Sequence, residues 1–280
     1  MEYYIVDAFS DKPFGGNPAG VVLLGNNDFP NEGLMLQVAA ELRYSETAFV
    51  RRHSANVYTL RYFTPKHEVE LCGHATVATF SLLHRKGLAA GQCLCHTKAG
   101  DLAIEADTRV MMQMAVPRIV DTVRHPADIY KAVGLPSYEP SLPVQIAYSG
   151  LADIMLPLPD VASLQTLQPD MEAITALTRQ LNAVSIHPFA FGHDGYTAHV
   201  RDFALLYGVP EESATGTANA ALTYYLMQNN LISPTGEYTF LQGEAMGRPS
   251  VVATRITSDG TLYVGGTAAI VAQGELLPLH

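Results

Sequence analysis

Two short stretches of the sequence place residues that could transfer protons or bind anions at the start of a helix rich in small residues. The first, ELCGHATVATF, contains Cys72, Gly73 and His74, and the second, TGTANAAL, has Gly216 where the first has Gly73. A glycine lets the backbone approach a ligand closely, and the first-turn N–H groups of a helix have no intrahelical partner. Each stretch is therefore typical of a carboxylate- or phosphate-binding helix start, and equally of a structural turn into a core helix.

Four side chains near these turns have the chemistry of a general acid or base. Glu46, in YSETAFV, lies at the start of a predicted strand, His74 lies in the first turn, and Glu211 and Glu212 precede the second turn. Carboxyl and imidazole groups transfer protons in catalysis when their pKa suits the reaction. Taken singly, each acid is also consistent with a solvated loop residue, and His74 with a helix cap.

Cys72 offers a thiol as a further proton-transfer group. A two-thiol mechanism would need a second cysteine, and the equivalent position of the second stretch is Thr215. The segment CLCH (Cys93–His96) lacks the cysteine spacing of a zinc site and is predicted to be a strand. GGNPAG lacks both the Lys-Ser/Thr of a phosphate loop and the spacing of a dinucleotide fingerprint. The sequence therefore predicts neither a bound metal nor a cofactor.

The elements that must position these groups are many short strands and a few helices. Aromatic and β-branched runs, such as Tyr3–Phe9, Val110–Val116 and Ala198–Leu206, predict about a dozen strands. Apolar periodicity and stop signals predict about five helices. These helices are Asn31–Leu42, Ala75–Arg85, His125–Val133, Asp170–Asn182 and Ala218–Asn230. Strands that follow one another directly favour antiparallel or mixed sheets, so the fold class expected is α+β.

The two turns belong to a longer internal repeat. CGHATVATFSLLHRKGL matches TGTANAALTYYLMQNNL, and Gly216 lies 143 residues after Gly73. Gly87 and Asn230, which tolerate the left-handed conformation of a helix stop, each lie 14 residues past their glycine. Upstream, RYF resembles RDF, with three extra residues in the second copy. Two halves built alike predict two helix starts that would hold a small anion between them.

Composition narrows the class of partner. The chain has 280 residues, 48% of them hydrophobic and 16% charged, which predicts a sizeable core in one large or two smaller domains. A formal net charge of −10 disfavours nucleic-acid binding. No apolar run approaches the length of a membrane span, and MEYYIVDAFSDKPF has no basic n-region of a signal peptide. With three cysteines and no disulfide framework, a cytoplasmic location without membrane contact is expected.

The chain resembles the phenazine-biosynthesis PhzF-like family of the diaminopimelate epimerase fold, and the resemblance rests on several motifs that occur in the family's order. The motifs are VDAFSDKPFGGNPAGVV, SETAFV, RYFTPKHEVELCGHATVAT, EESATGTANAAL and VGGTAAIVAQGEL. The resemblance implies two pseudo-symmetric domains, each a mostly antiparallel or mixed sheet wrapped around a central helix, with the active site in the cleft between them. The expected domains are residues 1–120 and 121–266, with the last strand, about 267–280, returning to the first domain. A homodimer is also implied.

The family resemblance also implies roles for single residues. Glu46 matches the general acid/base, while Gly73, His74, Gly216 and Thr217 match positions that bind the substrate and its carboxylate. Catalytic roles are further implied for His74 and for Glu212. Glu212 falls where the phenazine enzyme has an aspartate, and this chain has EES in place of the family's Glu-Asp-Pro.

The leading hypothesis is a cofactor-independent isomerase that moves a proton on a small carboxylate by acid–base catalysis. One alternative is an epimerase or racemase that uses Cys72 as a base opposite another residue. The other is a non-catalytic ligand-binding or interaction protein that kept the fold, an alternative prompted by the EES departure.

Overall fold

The computed structural model describes residues 1–205 and 209–277. Contacts within the chain divide it into two compact units, Met1–Gln113 with Gly265–His280, and Met114–Val264. We call these unit 1 and unit 2. The sequence-based boundaries, 120/121 and 266/267, lie a few residues further along the chain.

The described residues form 17 strands and six α-helices. The strands are β1 Glu2–Ala8, β2 Asn17–Gly25, β3 Thr47–Ser54, β4 Val57–Phe63, β5 Glu68–Val69, β6 Gly91–Thr97, β7 Gly100–Ala106, β8 Val110–Gln113, β9 Arg118–Thr122, β10 Gln145–Tyr148, β11 Ala152–Pro157, β12 Ser185–Ala190, β13 Ala198–Val200, β14 Gly236–Gln242, β15 Ser250–Ile256, β16 Leu262–Gly266 and β17 Ala268–Glu275. The helices are α1 Glu32–Leu42, α2 Gly73–Arg85, α3 Ala127–Ala132, α4 Val161–Gln165, α5 Met171–Gln180 and α6 Gly216–Gln228.

The same order of strand pairing occurs in both units. In unit 1, β1–β2 is antiparallel, β2–β3 parallel, β3–β4 antiparallel, β4–β6 parallel and β6–β7 antiparallel. In unit 2, β10–β11, β11–β12, β12–β13, β13–β14 and β14–β15 follow the same alternation. Each series has one helix, α2 or α6, inside its second parallel crossover. The repeat seen in the sequence is therefore a repeat of topology.

Each of these two helices is the centre of its unit. Ten of the 13 residues of α2 and nine of the 13 of α6 are buried, so both are covered on nearly every side. A helix surrounded in this way carries no polar face, and small residues such as Ala75, Ala78, Ala218 and Ala221 let strands approach it closely. The α+β class, with mixed sheets wrapped around a central helix, is confirmed.

The two central helices also end alike. Gly87 and Asn230 adopt left-handed φ angles of 68° and 57°. Directly after them, Leu88 N–H donates to Leu83 O and Leu231 N–H donates to Leu226 O, at 2.8 and 2.9 Å. This is the six-to-one bond of a Schellman stop.

Most sequence-based elements are confirmed, with shifts at their ends. Both central helices begin two residues earlier than predicted, because their glycines are the first helical residues. The strand predicted over Val110–Val116 ends at Gln113, and that over Ala198–Leu206 is described only as far as Val200, with Leu206 itself outside the described residues. Helix α4 and the strands β5 and β9 were not predicted. All three are at most five residues long, too short for a periodic signal.

The final strand pairs with the first. β17 runs antiparallel to β1 from Ala8–Ala268 to Glu2–Glu275.

No helix in the described part of the chain is long and apolar enough to cross a membrane.

Candidate active site

In unit 1, a strand start and a helix start bring three sequence-predicted residues together. Glu46 directly precedes β3, and its carbonyl accepts a hydrogen bond of 3.0 Å from Gly20 N–H of β2, which fixes the start of the strand. Cys72 is the N-cap residue of α2, and His74 is its second helical residue.

His74 is the centre of this cluster. Its Nε2 lies 3.3 Å from Glu46 Oε2 and 3.3 Å from Ser45 Oγ. Its Nδ1 lies 3.4 Å from Cys72 Sγ. The His74 side chain is 9% exposed and that of Glu46 19%, so a carboxylate with partial access to solvent is backed by a buried imidazole.

The protonation of His74 follows from its surroundings. Burial lowers the pKa of His74 below its usual value, and the nearby Glu46 carboxylate opposes part of this shift. The ring is therefore neutral near pH 7, with one N–H and one acceptor nitrogen. The ring nitrogens are hydrogen-bonded to Ser45 Oγ through Nε2 and to Cys72 Sγ through Nδ1, and the Glu46 carboxylate contacts the Nε2 side of the ring. This arrangement places the Glu46 carboxylate, a candidate proton acceptor, beside a neutral imidazole whose own hydrogen bonds are to Ser45 and Cys72.

The same three side chains could also hold a metal ion. One ligand atom from each of Glu46, Cys72 and His74 lies within 4.8 Å of the other two. Carboxylate, thiolate and neutral imidazole are the ligands that zinc accepts in proteins. Metal binding would use all three side chains as ligands, whereas proton transfer needs no metal. Removal of metal ions by a chelator therefore distinguishes the two functions.

The starts of both central helices lack a side-chain cap. Neither Cys72, N-cap of α2, nor Thr215, N-cap of α6, caps its helix through its side chain. The positive end of each helix dipole is therefore not neutralised by the side chain of its own N-cap residue, as a carboxylate site requires.

In unit 2, the candidate residues Glu212, Gly216 and Thr217 lie in the turn and first helical residues before and within α6. Glu212 N–H donates to Asp202 O at 3.1 Å, and Glu212 O accepts from Gln242 Nε2 at 2.8 Å, so its main chain is held on both sides. Gly216 and Thr217 are the first two residues of α6, and Thr217 O accepts from Ser149 Oγ at 2.7 Å.

Glu211, a candidate for proton transfer from the sequence, is held in an ion pair with Arg201. It accepts two hydrogen bonds from the Arg201 guanidinium, at 2.7 and 2.8 Å. Arg61 makes the same pair of bonds to Glu68 in unit 1, both at 2.7 Å. Glu68 and Glu211 each lie five residues before their helix glycine, so this ion pair is part of the repeat. Both of its carboxylate oxygens are used by arginine.

Sequence reasoning did not identify two residues that contact the candidates. Ser45 was visible only as a hydroxyl beside Glu46. Asp202, the middle residue of RDF, accepts a hydrogen bond from Thr215 Oγ1 at 3.0 Å. The repeat could have pointed to Asp202, because its counterpart in RYF is Tyr62. The Tyr62 hydroxyl is likewise hydrogen-bonded to a threonine at a helix start, Thr76 in the first turn of α2, at 2.7 Å.

The chain is similar to known proteins along nearly its whole length. The family model for phenazine biosynthesis-like proteins matches residues 6–274. An uncharacterized isomerase of Deinococcus radiodurans is 35% identical over 97% of this chain and 93% of its own length. The trans-2,3-dihydro-3-hydroxyanthranilate isomerase of Pseudomonas chlororaphis is 29% identical over 90% of this chain and 89% of its own. The crystal structure of a PhzF-family phenazine biosynthesis protein of Bacillus anthracis has a TM-score of 0.89 and 27% identity, covering 99% of both chains.

Proposed function

The chain belongs to the phenazine biosynthesis-like family and is an isomerase, and from this premise we propose that it moves a proton on a small carboxylate without a cofactor. The observation that carries the proposal is the 3.3 Å contact between Glu46 Oε2 and His74 Nε2 at the uncapped start of α2. A carboxylate backed by a neutral imidazole is suited to take a proton from one substrate carbon and return it to another.

The remaining candidates would bind and orient the substrate. We propose that the first-turn N–H groups at Gly73 and His74, and those at Gly216 and Thr217, bind the carboxylate of the substrate. Such groups stabilise negative charge without a basic side chain, and they would also stabilise the charge that develops as the proton leaves. Glu212 would be a second carboxylate near the bound substrate, at the position where the family pattern has aspartate.

The substrate class follows from the same chemistry. Proton transfer between carbons needs a carbon acid next to a carbonyl, an imine or a conjugated double bond, because the resulting charge must be delocalised. We propose an unsaturated amino- or hydroxycarboxylate, of which the substrate of the Pseudomonas chlororaphis enzyme is one example.

The test is a search for proton exchange. Incubation with a panel of unsaturated amino- and hydroxycarboxylates in D₂O, followed by mass spectrometry, should reveal deuterium uptake or isomerisation of one member. Glu46→Gln should lower the rate by about 10²–10⁴-fold, the usual contribution of a general base. Glu41→Gln, an exposed glutamate five residues earlier on α1, is the matched control and should keep full activity. Full turnover by the Glu46 variant would refute the assignment.

A second candidate function uses Cys72 as a base of an epimerase. The contact that favours it is the 3.4 Å approach of Cys72 Sγ to His74 Nδ1, since a thiol beside an imidazole can be activated as a thiolate. Its test is deuterium exchange at an α-carbon by Cys72→Ala. Loss of exchange in this variant, with Glu46→Gln still active, would favour the thiol over the carboxylate.

Three further properties belong to the proposal. We expect activity to survive dialysis against EDTA, whereas loss of activity restored by zinc would show that Glu46, Cys72 and His74 bind a metal instead. We expect a homodimer, which light scattering would detect as about twice the chain mass. We also expect a cytoplasmic location, which cell fractionation would test.

A further inference from the structure

The N-cap residue of α6 could cap its helix but does not. A threonine at the N-cap ordinarily accepts a hydrogen bond from the second or third N–H of the helix. Thr215 has an extended backbone, with φ −124° and ψ 100°, yet makes no side-chain cap bond. Its hydroxyl instead donates to Asp202 Oδ2 and accepts from Gln242 Nε2, both at 3.0 Å.

The other helices of the described chain with an oxygen-bearing N-cap residue behave in the ordinary way. Asn31 accepts from Leu34 N–H at the start of α1, and Asp160 from Ser163 N–H at the start of α4. Asp170 accepts from two first-turn N–H groups of α5. Helix α6 is thus the exception within the residues that the structure describes, although its N-cap side chain is of a capping type.

A buried polar network holds Asp202 in place. Asp202 is 1% exposed, and its Oδ1 lies 2.8 Å from Ser185 Oγ and 3.0 Å from His187 Nδ1. Ser185 Oγ also lies 2.8 Å from Asp153 Oδ1. A hydroxyl has one proton to donate, so one of these two carboxyl groups must itself be protonated. Burial and the neighbouring Asp202 raise the pKa of Asp153, which favours the protonated form of Asp153.

Gln242 fixes the other side of the turn. Its Oε1 accepts from Thr215 N–H at 3.0 Å and from Asn219 Nδ2 at 2.8 Å, and it is fully buried. Thr215 is therefore restrained at its main-chain nitrogen and at its hydroxyl. Rotation of the hydroxyl toward the helix would break the bond to the Asp202 carboxylate, a charge-assisted bond stronger than the neutral cap bond that would replace it.

We propose that Asp202 is a positioning residue that keeps the start of α6 open by holding the Thr215 hydroxyl away from the first-turn N–H groups. This inference rests on the proposed function, in which those N–H groups bind the substrate carboxylate. In this role Asp202 would act through the Thr215 hydroxyl and not on the substrate itself. The equivalent helix in unit 1 needs no such residue, because its N-cap is Cys72, whose thiol is a weak acceptor.

The orientation of Thr215 can be measured without any ligand. Three-bond couplings to the Thr215 methyl carbon report its side-chain rotamer by NMR. The wild type should show one rotamer, with the hydroxyl toward Asp202, and Asp202→Ala should show a second, with the Thr217 or Ala218 amide newly protected from hydrogen exchange. An unchanged rotamer in Asp202→Ala would refute the inference whatever the enzyme binds.

Binding is tested with acetate as the minimal carboxylate, followed through the amide shifts of Gly216 and Thr217. Removing Asp202 also removes a negative charge, which by itself would strengthen acetate binding, so single variants mix two effects. The informative comparison is therefore a double-mutant cycle between Asp202→Ala and Thr215→Val. Both members lacking Asp202 have the same charge and differ only in the Thr215 hydroxyl.

In the background without Asp202, adding Thr215→Val should strengthen acetate binding about fivefold, the equivalent of an N-cap bond of ~1 kcal/mol. In the wild-type background, Thr215→Val should change the affinity less than about twofold, because the hydroxyl is already turned away. Equal effects of Thr215→Val in both backgrounds would refute the inference. If Asp202→Ala does not fold, Asp202→Leu supports the same cycle, since it fills more of the space and also has no polar atom to bond the Thr215 hydroxyl.

The outcomes separate this inference from the proposed function. Absence of acetate-induced shifts at Gly216 in the wild type would count against the proposed carboxylate site, and the rotamer measurement would still decide the role of Asp202. If the wild type binds acetate but the double-mutant cycle shows no coupling between Asp202 and Thr215, the proposed carboxylate site is retained. Asp202 then has no part in it.

Discussion

Replacing Arg201 by methionine should destabilise the protein much more than the same change at its repeat counterpart, Arg61. Both arginines form two hydrogen bonds to a glutamate five residues before a central helix. The Arg201 side chain is 9% exposed and also donates to the carbonyls of Leu164 and Leu167, each at 3.3 Å. Its removal leaves a largely buried carboxylate and two carbonyls without these donors.

The loss of stability in each variant depends on the polar groups that lose their partner. Removing one partner of a buried ion pair costs about 3–5 kcal/mol, and the 15% exposure of the Glu211 side chain favours the lower end, about 3 kcal/mol. Arg61 is 21% exposed, and Glu68 keeps a second partner in Lys98 Nζ after the change. The Glu68 carboxylate is itself only 5% exposed, but Lys98 still pairs with it, so no charge is left uncompensated and the loss should be about 1 kcal/mol. At about 2–4 °C per kcal/mol, the two melting temperatures should fall by about 6–12 °C and 2–4 °C.

The assay is urea and thermal unfolding of Arg201→Met and Arg61→Met beside the wild type. Arg179→Met, at an exposed position of α5, is the matched control and should stay within about 0.5 kcal/mol of the wild type. Equal losses at the two repeat positions, or a greater loss at Arg61, would refute the argument that burial and residual partners decide the cost.

Two further predictions concern stability. Gly265→Ala should cost at least about 3 kcal/mol in chemical unfolding, because a Cβ there would lie 1.8 Å from Val110 O and β8 would have to move; a near-neutral result would contradict this packing. His199 loses hydration on burial, but its hydrogen bonds to Glu244 and Asp194 outweigh this loss and raise its pKa. Its contribution is therefore fully present below about pH 6.5, the unfolded value, and is lost as the pH rises through the folded pKa. The melting-temperature difference between wild type and His199→Asn should accordingly be larger at about pH 6 than at about pH 9, and a constant difference would show that no proton is linked to folding.

The repeat was the most informative feature of the sequence, because it depends on local signals. A glycine at the helix start, small residues along the helix and a left-handed stop are properties of neighbouring residues, and all three recur at Gly216 and Asn230 as at Gly73 and Gly87. The sequence also showed that Cys72 and His74 are neighbours, because they are only two residues apart.

Other contacts were beyond sequence reasoning because their partners are far apart in the chain. Nothing in YSETAFV shows that Glu46 lies against His74, 28 residues later, since the approach depends on how β3 and α2 pack. The ion pair of Glu211 was hidden from the sequence for the same reason. A glutamate before a helix looks available until the fold brings Arg201 to both of its oxygens.

The sequence by itself determined the α+β class, the two matched halves and the family, since these depend on residue order and local periodicity, and it supplied the candidates proposed for proton transfer. Only the tertiary structure decided which polar groups are engaged. It lowers the pKa of His74 by burial, engages Glu211 in an ion pair and turns the Thr215 hydroxyl toward Asp202. The physical reason is that solvation and hydrogen bonding depend on distances between strands and helices that the order of residues does not specify.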